Sequence, residues 1–284
     1  ARIKKAMKEL DYQPNMAAFS LRTKKAKAIG LLIPILIDET SNIFFMQLAL
    51  GVESELKKHG YISFLGNTDE QIESEMATIK SFKGRQIDGL IIAPCLYDHE
   101  EVEEVIGDCP VIYVDRVPKG IADPDCVLSN SEEACYQVIS RQIEMGHRHI
   151  GVICGTLSKT GNIRERLNGY RRALADRGIP FDDSLIAEGE SRVGEGYALA
   201  QRLFEHHSRI TSLLLTNNCH ALGALKYIKE KGLHIPSDIN ITVFDDYDWT
   251  SIYNPPLTVI RQDAYAIGEK AVQMLMKRIS GKET

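Results

Sequence analysis

Four short polar clusters stand at the ends of apolar runs and carry side chains suited to ligand chemistry: Ser41-Asn42-Ile43-Phe44-Phe45, Asp115-Arg116, Asn217-Asn218 and Asp245-Asp246. They combine two-pronged hydrogen-bonding groups with a pair of aromatic rings. A polyhydroxylated ligand asks for that mixture, because each hydroxyl donates and accepts while the C–H faces pack on rings. The signatures of catalysis are weak by comparison. His147-Arg148-His149 follows a helix end at a strand start, where the two histidines are expected to diverge, and His206-His207 are adjacent and look exposed, so neither pair is expected to hold a metal. Gly194-Glu195-Gly196 lacks the third glycine of a dinucleotide loop, and neither a GxxxxGK[ST] loop nor a G-x-S-x-G elbow occurs. Asp115 and Asp245 as a facing carboxylate pair suit hydroxyl recognition as well as acid–base work. No enzyme activity, cofactor or metal is expected.

The elements that position these clusters follow from periodicity. Apolar, β-branched runs at Ala28–Ile35, Tyr61–Asn67, Gly89–Cys95, Val111–Asp115, His149–Gly155, Ser212–Asn217 and Ile241–Asp246 predict seven strands. Between them lie segments of helical period, among them Phe44–His59, Ser131–Met145, Arg164–Arg177, Gly196–His206 and His220–Lys231, several ending at a glycine (Gly60, Gly146, Gly178, Gly232) where a helix C-cap wants one. Alternating strands and helices with unbroken apolar strands imply parallel sheets covered on both faces. Seven strands in two blocks fit an α/β protein of two doubly wound lobes with a central cleft. In such sheets ligands bind beyond the carboxyl ends of the strands, which is where the four clusters fall. No internal repeat is visible in the sequence.

Charge and cysteine content narrow the partners. The 284 residues carry a net charge of −5. Residues 1–30 hold eight basic and two acidic side chains, a net +6, so the remainder carries −11. A basic arm on an acidic body suits a polyanion met by the arm alone, although a solvated basic face has the same composition. No run approaches the length of a membrane span, and ARIKKAMKEL lacks the apolar stretch of a secretory leader. Six scattered cysteines without a CxxC pair read as reduced, mostly buried residues, pointing to the cytoplasm.

Ten segments occurring in order resemble the LacI/GalR repressors, whose core is similar to periplasmic sugar-binding proteins: RIKKAMKELDYQPN, AIGLLIP, TSNIFF, QIDGLIIAP, VIYVDR, GHRHIGVICG, RERLNGY, TNNCHALGALKYIKEKG, IPSDINITVFDD and PPLTVIRQDAYAIGEKAV. The resemblance implies a homodimeric transcription regulator. In it an effector (a sugar, a sugar acid or a phosphosugar) binds between the lobes and alters affinity for operator DNA. It implies three parts: residues 1–27 as the end of a DNA-binding headpiece with a hinge helix, 28–129 plus 262–284 as the N-terminal lobe, and 130–261 as the C-terminal lobe. By the same resemblance the effector site comprises Asn42, Phe44, Phe45, Asp115 and Arg116 from the first lobe. The second lobe adds Arg166, Ser191, Asn217 and Asp245, with Gln262 near the crossover. Residue by residue other readings stand: Phe44 and Phe45 as core, Asp245 as a helix N-cap, Asn217 as a turn residue, Arg166 as a surface ion-pair partner. A transport-associated sugar binder with the same core is the alternative at the level of the whole protein.

The chain departs from the family at Ile43, Val243 and Asn218, where Pro, Gly and Asp are usual. Ser191 stands where an aromatic commonly closes the site, so Trp249 or Tyr247 is expected to supply that wall. Arg164, Arg166 and Arg192 lie in segments expected near the cleft and raise the idea of an anionic ligand. At the DNA end, Tyr12-Gln13-Pro14-Asn15 and the following Met16–Arg22 resemble the hinge helix. Asn15 is expected to cap it, Ala18 to lie within it, and Leu21, with Arg22 beside it, to wedge into a minor groove. Phe19 replaces a common Arg, removing one phosphate contact. The segment present corresponds to the third headpiece helix onward, so no measurable operator affinity is expected from it alone.

Overall fold

The computed structural model describes residues 26–35, 42–95, 100–157 and 161–281. The hinge residues Asn15, Ala18, Leu21 and Arg22 lie outside them, and of Asn42 only the backbone is described. The elements run β1 (Ala28–Ile33), α1 (Asn42–His59), β2 (Ile62–Asn67), α2 (Ile72–Gly84), β3 (Gly89–Ile92), α3 (Glu100–Ile106), β4 (Val111–Val114) and β5 (Cys126–Val127). They continue as α4 (Ser131–Glu144), β6 (Ile150–Cys154), α5 (Gly161–Ala175), β7 (Ile186–Glu188), α6 (Val193–His206), β8 (Ser212–Leu215), α7 (Asn218–Glu230), β9 (Asn240–Phe244), α8 (Asp248–Ser251), β10 (Thr258–Ile260) and α9 (Ala264–Ile279).

All strand pairs are parallel, in two five-stranded sheets ordered β2-β1-β3-β4-β5 and β10-β9-β8-β6-β7. Read from β7, the second sheet repeats the winding of the first, a duplication that leaves no trace as a sequence repeat. The seven expected strands are present. Three more, β5, β7 and β10, are two to three residues long. They complete the far edges of the sheets, and pieces so short carry no readable alternation.

Each sheet is covered on both faces, which is why its central strands are apolar throughout. One face of the first sheet packs Ile29, Leu31 and Ile91 against α1 and α9, while the other packs Leu32, Leu90 and Ile92 against α2 and α3. The second sheet is sandwiched in the same way between α6 and α7 on one side and α4 and α5 on the other. Helix α9 follows the last strand of the second sheet yet packs on the first, through Ile267, Ala271 and Leu275. The chain therefore crosses between sheets twice, near residue 129 and near residue 262. On three of the four faces the paired helices, α1 with α9, α4 with α5 and α6 with α7, touch backbone to backbone. A Cβ on Gly169 of α5 would stand 2.1 Å from the Glu132 carbonyl oxygen of α4, and one on Gly268 of α9 would stand 2.2 Å from the Leu48 carbonyl oxygen of α1. Only a residue without a side chain permits that approach. The four glycines expected at helix ends all have positive φ, from 63° to 102°.

Candidate functional site: the strand ends of two facing sheets

Both sheets end at an aspartate in the left-handed region. Asp115 follows β4 with φ 65°, and Asp245 follows β9 with φ 80°. A non-glycine residue is rarely held there, and strained backbone of this kind concentrates at ligand sites. Asp245 is therefore no helix N-cap; the short α8 that follows is capped at Tyr247. Its amide N–H donates to the Ile260 carbonyl at 2.8 Å, and its carboxylate accepts from Gln262 Nε2 at 2.7 Å. Gln262 in turn accepts from Ser129 Oγ at 2.6 Å, so the two crossing segments are joined to each other and to the end of β9.

Two arginines sit beside these carboxylates, each only 5% exposed. Arg116 lies between Asp115 (Nε to Oδ2, 3.3 Å) and Glu70 (Nη2 to Oε1, 3.2 Å). Arg166, on the buried side of α5, stacks its guanidinium 3.6 Å from the Phe244 ring centroid and donates to the Thr216 carbonyl. It is not a surface ion-pair partner. Burial pushes the Asp245 carboxyl above its ordinary pKa; Arg166 pulls it back and Asp115 adds to the rise. Glu165 is raised for the same leading reason, against the pull of Arg166 and with the push of Asp115. Three carboxylates thus share the gap with two arginines, and Arg116 is further engaged by Glu70.

The remaining expected residues divide. Phe44 and Phe45 pack edge to face at 5.2 Å between centroids and are buried in the first-lobe core, so the core reading describes most of their surface. Asn217 caps α7, accepting from His220 N at 2.8 Å, and its Nδ2 donates to Ser191 Oγ at 3.0 Å. Ser191 therefore belongs to the second-lobe rim through Asn217. Trp249 is held there too, its indole N–H donating to Asn218 Oδ1 at 2.8 Å. Tyr247 brings its hydroxyl toward the Phe44 backbone across the gap, and burial raises its phenol far above its ordinary value. The arginine trio does not converge. Arg164 is exposed on α5 and donates to the Leu157 carbonyl, and exposed Arg192 pairs with Glu190 at 3.3 Å. Arg166 alone of the three is buried in the gap, because only it lies on the sheet-facing side of its helix.

Sequence reasoning missed Asn162, whose Nδ2 stands 3.1 Å from both carboxylate oxygens of Asp115 in the other lobe. The signal was present: Asn162 precedes Arg166 by one helical turn and shares its face of α5. It also missed Ser129, which follows an apolar run of only three residues (Cys126–Leu128), and Glu165 and Glu70, which do not lie at the end of an apolar run. Among the described residues no helix is long and apolar enough to cross a membrane, and no group of three or more His, Cys, Asp or Glu is placed to hold a metal ion. All six cysteines are unpaired.

Comparison with known proteins agrees with this architecture. The family model for periplasmic binding proteins and the sugar-binding domain of the LacI family matches residues 26–284. The HTH-type transcriptional repressor PurR of Vibrio atlanticus is 31% identical over 285 residues, covering 99% of this chain and 83% of the relative. Catabolite control protein A of Priestia megaterium is 30% identical over 284 residues, covering 100% and 84%. The crystal structure of the transcription regulator CcpA of Lactococcus lactis superimposes with a TM-score of 0.81 at 27% identity, over 90% of this chain and 92% of that one. With two like-wound parallel sheets and this match over nearly all its length, the chain belongs to the LacI family and is the effector-binding core of a transcriptional repressor.

Proposed function

We propose that the protein binds a neutral polyhydroxylated effector, a sugar, between its two lobes, and that occupancy changes the operator affinity of a homodimer. The observation that carries this reading is the pair of left-handed aspartates, Asp115 and Asp245, aimed into one gap with Arg116 and Arg166 beside them. Carboxylates and guanidinium groups take vicinal hydroxyls in two-pronged hydrogen bonds, and Gln262 and Asn217 extend the polar wall. Trp249 and Tyr247 supply the aromatic surface that Ser191 lacks, with Phe44 and Phe45 behind. Charge favours a neutral ligand over a sugar acid or phosphosugar. Each arginine near the gap is already engaged, and a further anion would meet Asp115, Glu165 and Asp245.

The lobes are assigned to residues 28–129 plus 262–284 and 130–261. Residues 1–27 are assigned to nucleic acid, with Asn15, Ala18, Leu21 and Arg22 at the minor groove, in the cytoplasm. Exchange of the direct contacts across the gap for contacts to the effector would change how the lobes sit on each other, and in the dimer the relative orientation of the two first lobes and the spacing of the DNA-contacting leaders. The first lobe carries a face suited to self-association. Met46 and Leu50 on α1 are 51% and 56% exposed, with Ile43 on the same side and Leu65 on the adjoining edge strand β2.

The test is a thermal-shift panel of D-ribose, D-glucose, D-gluconate and glucose 6-phosphate. A ligand at 100 times its dissociation constant stabilises by about 2.7 kcal/mol. A neutral sugar is expected to shift the wild type and to lose its effect with Asp245→Asn, which keeps the bond from Gln262. A response confined to the anionic members refutes the charge argument.

A further inference from the structure

Asn162 is the residue that this site contains and that the strand-end logic does not explain. It lies in the first turn of α5 in the second lobe. Its carboxamide nitrogen reaches across the gap to stand 3.1 Å from Oδ1 and 3.1 Å from Oδ2 of Asp115 in the first lobe. Asp115 is 9% exposed and has Arg116 Nε 3.3 Å away on its other side. The amide nitrogen thus occupies the space in front of both carboxylate oxygens, where two hydroxyl groups of a bound polyol would stand. The other half of the same amide is unsatisfied: Asn162 Oδ1 is buried with no hydrogen-bond partner among the described residues. A buried acceptor without a donor is costly, so the contact is a compromise that a hydroxylated molecule can improve on.

We propose that Asn162 is an internal stand-in for the effector, a cross-lobe latch. In the ligand-free protein its amide occupies the Asp115 carboxylate and holds the lobes together; an effector displaces it by supplying two hydroxyl hydrogens to Asp115, and the released Asn162 amide is left to water. The inference deepens the reading of the gap as the effector site and rests on it. It makes Asn162 a specificity-determining residue. A molecule that offers Asp115 a single donor, or an ether in place of a hydroxyl, cannot outcompete an amide already in position. An anion is refused by the carboxylate itself. It also sets the apparent affinity, because the fraction of molecules with Asp115 free scales the observed dissociation constant.

Exchange of the partners tests the latch without any ligand. Asn162→Ala removes the amide. Asn162→Asp places two carboxylates about 3 Å apart, which cannot both remain ionised and in contact. The double variant Asp115→Asn with Asn162→Asp restores an amide–carboxylate pair with the roles reversed, and asparagine tolerates the left-handed backbone at 115. Small-angle scattering and hydrogen exchange over residues 111–117 and 161–166 are measured on the full chain. Both single variants are expected to enlarge the radius of gyration and to speed exchange, Asn162→Asp more, with the double variant returning toward wild type. Identical scattering and exchange in all four proteins, or an unrescued double variant that still melts cooperatively at the wild-type temperature, overturns the proposal. If a single variant fails to melt cooperatively, the other single variant and the rescue decide. With D-ribose or D-glucose as the titrant, whichever shifts the wild type, Asn162→Ala is expected to bind several-fold more tightly; unchanged or weaker binding counts against the latch. A wild type that responds to neither sugar refutes the effector reading for those ligands, while the scattering series still decides the latch.

Discussion

Lowering the pH from 7 to 5 is expected to destabilise the second lobe through one residue, His220. Its side chain is fully buried. Nε2 donates to the Glu190 carbonyl at 2.8 Å, which makes Nδ1 the unprotonated nitrogen, and Nδ1 has no partner among the described residues. Burial is the main cause that lowers its pKa from 6.5 to about 4, the bond to Glu190 acting weakly against it. The position in the first turn of α7 also disfavours a cation, since the helix dipole is positive there. Between pH 6.5 and about 4 the unfolded chain holds a proton at this residue and the folded chain does not. Stability is therefore complete above 6.5 and is lost as pH falls. From those two values the loss between pH 7 and pH 5 is about 2 kcal/mol, against a total stability on the order of 5–15 kcal/mol. The single tryptophan, Trp249, bonded to Asn218 two residues before His220, provides the optical signal for urea unfolding of this lobe. The control is His220→Gln, whose amide can still donate toward Glu190 but cannot titrate. Its drop from pH 7 to pH 5 should be smaller than that of the wild type by about 2 kcal/mol. Equal drops in the two proteins would mean that other groups carry the acid sensitivity, and the reasoning about His220 would be wrong. Because Asn217 is bonded to the His220 backbone, the same acid step should weaken effector binding in the wild type before global unfolding.

Two other expectations follow from packing. Gly169→Ala forces a Cβ to within 2.1 Å of the Glu132 carbonyl oxygen, whereas Gly194→Ala meets no atom within 4 Å. The first should lower the urea midpoint by the equivalent of about 1–3 kcal/mol, and the second, at the start of α6, should be neutral or stabilising by about 0.5 kcal/mol. Equal midpoints for the two would show that α4 and α5 can separate freely. Met46→Lys places a charge on the exposed apolar face of α1 and should shift sedimentation from dimer to monomer without lowering the melting temperature of the lobe core; an unchanged dimer would move the interface elsewhere.

The amino-acid sequence alone determined the periodic elements. Seven apolar strand runs, the helical segments between them and the glycines at helix ends are local properties, readable because side chains repeat every two or 3.6 residues whatever lies beyond. It also placed Asp115, Arg116, Asn217 and Asp245 at strand ends, since the end of an apolar run is itself a local signal. Tertiary structure decided the rest. Strands β5, β7 and β10 owe their existence to a neighbouring strand rather than to their own two or three residues, and α9 is assigned to the first sheet only by the apolar surface it covers there. Arg164, Arg166 and Arg192 are alike in sequence, yet only burial separates the one beside Asp245 from two engaged at the surface. Asn162 and Asp115, 47 residues apart, become partners only when two separately wound sheets face each other. Hydrogen bonds and charge pairs depend on distance in space, and periodicity along the chain carries no information about which strand ends will meet.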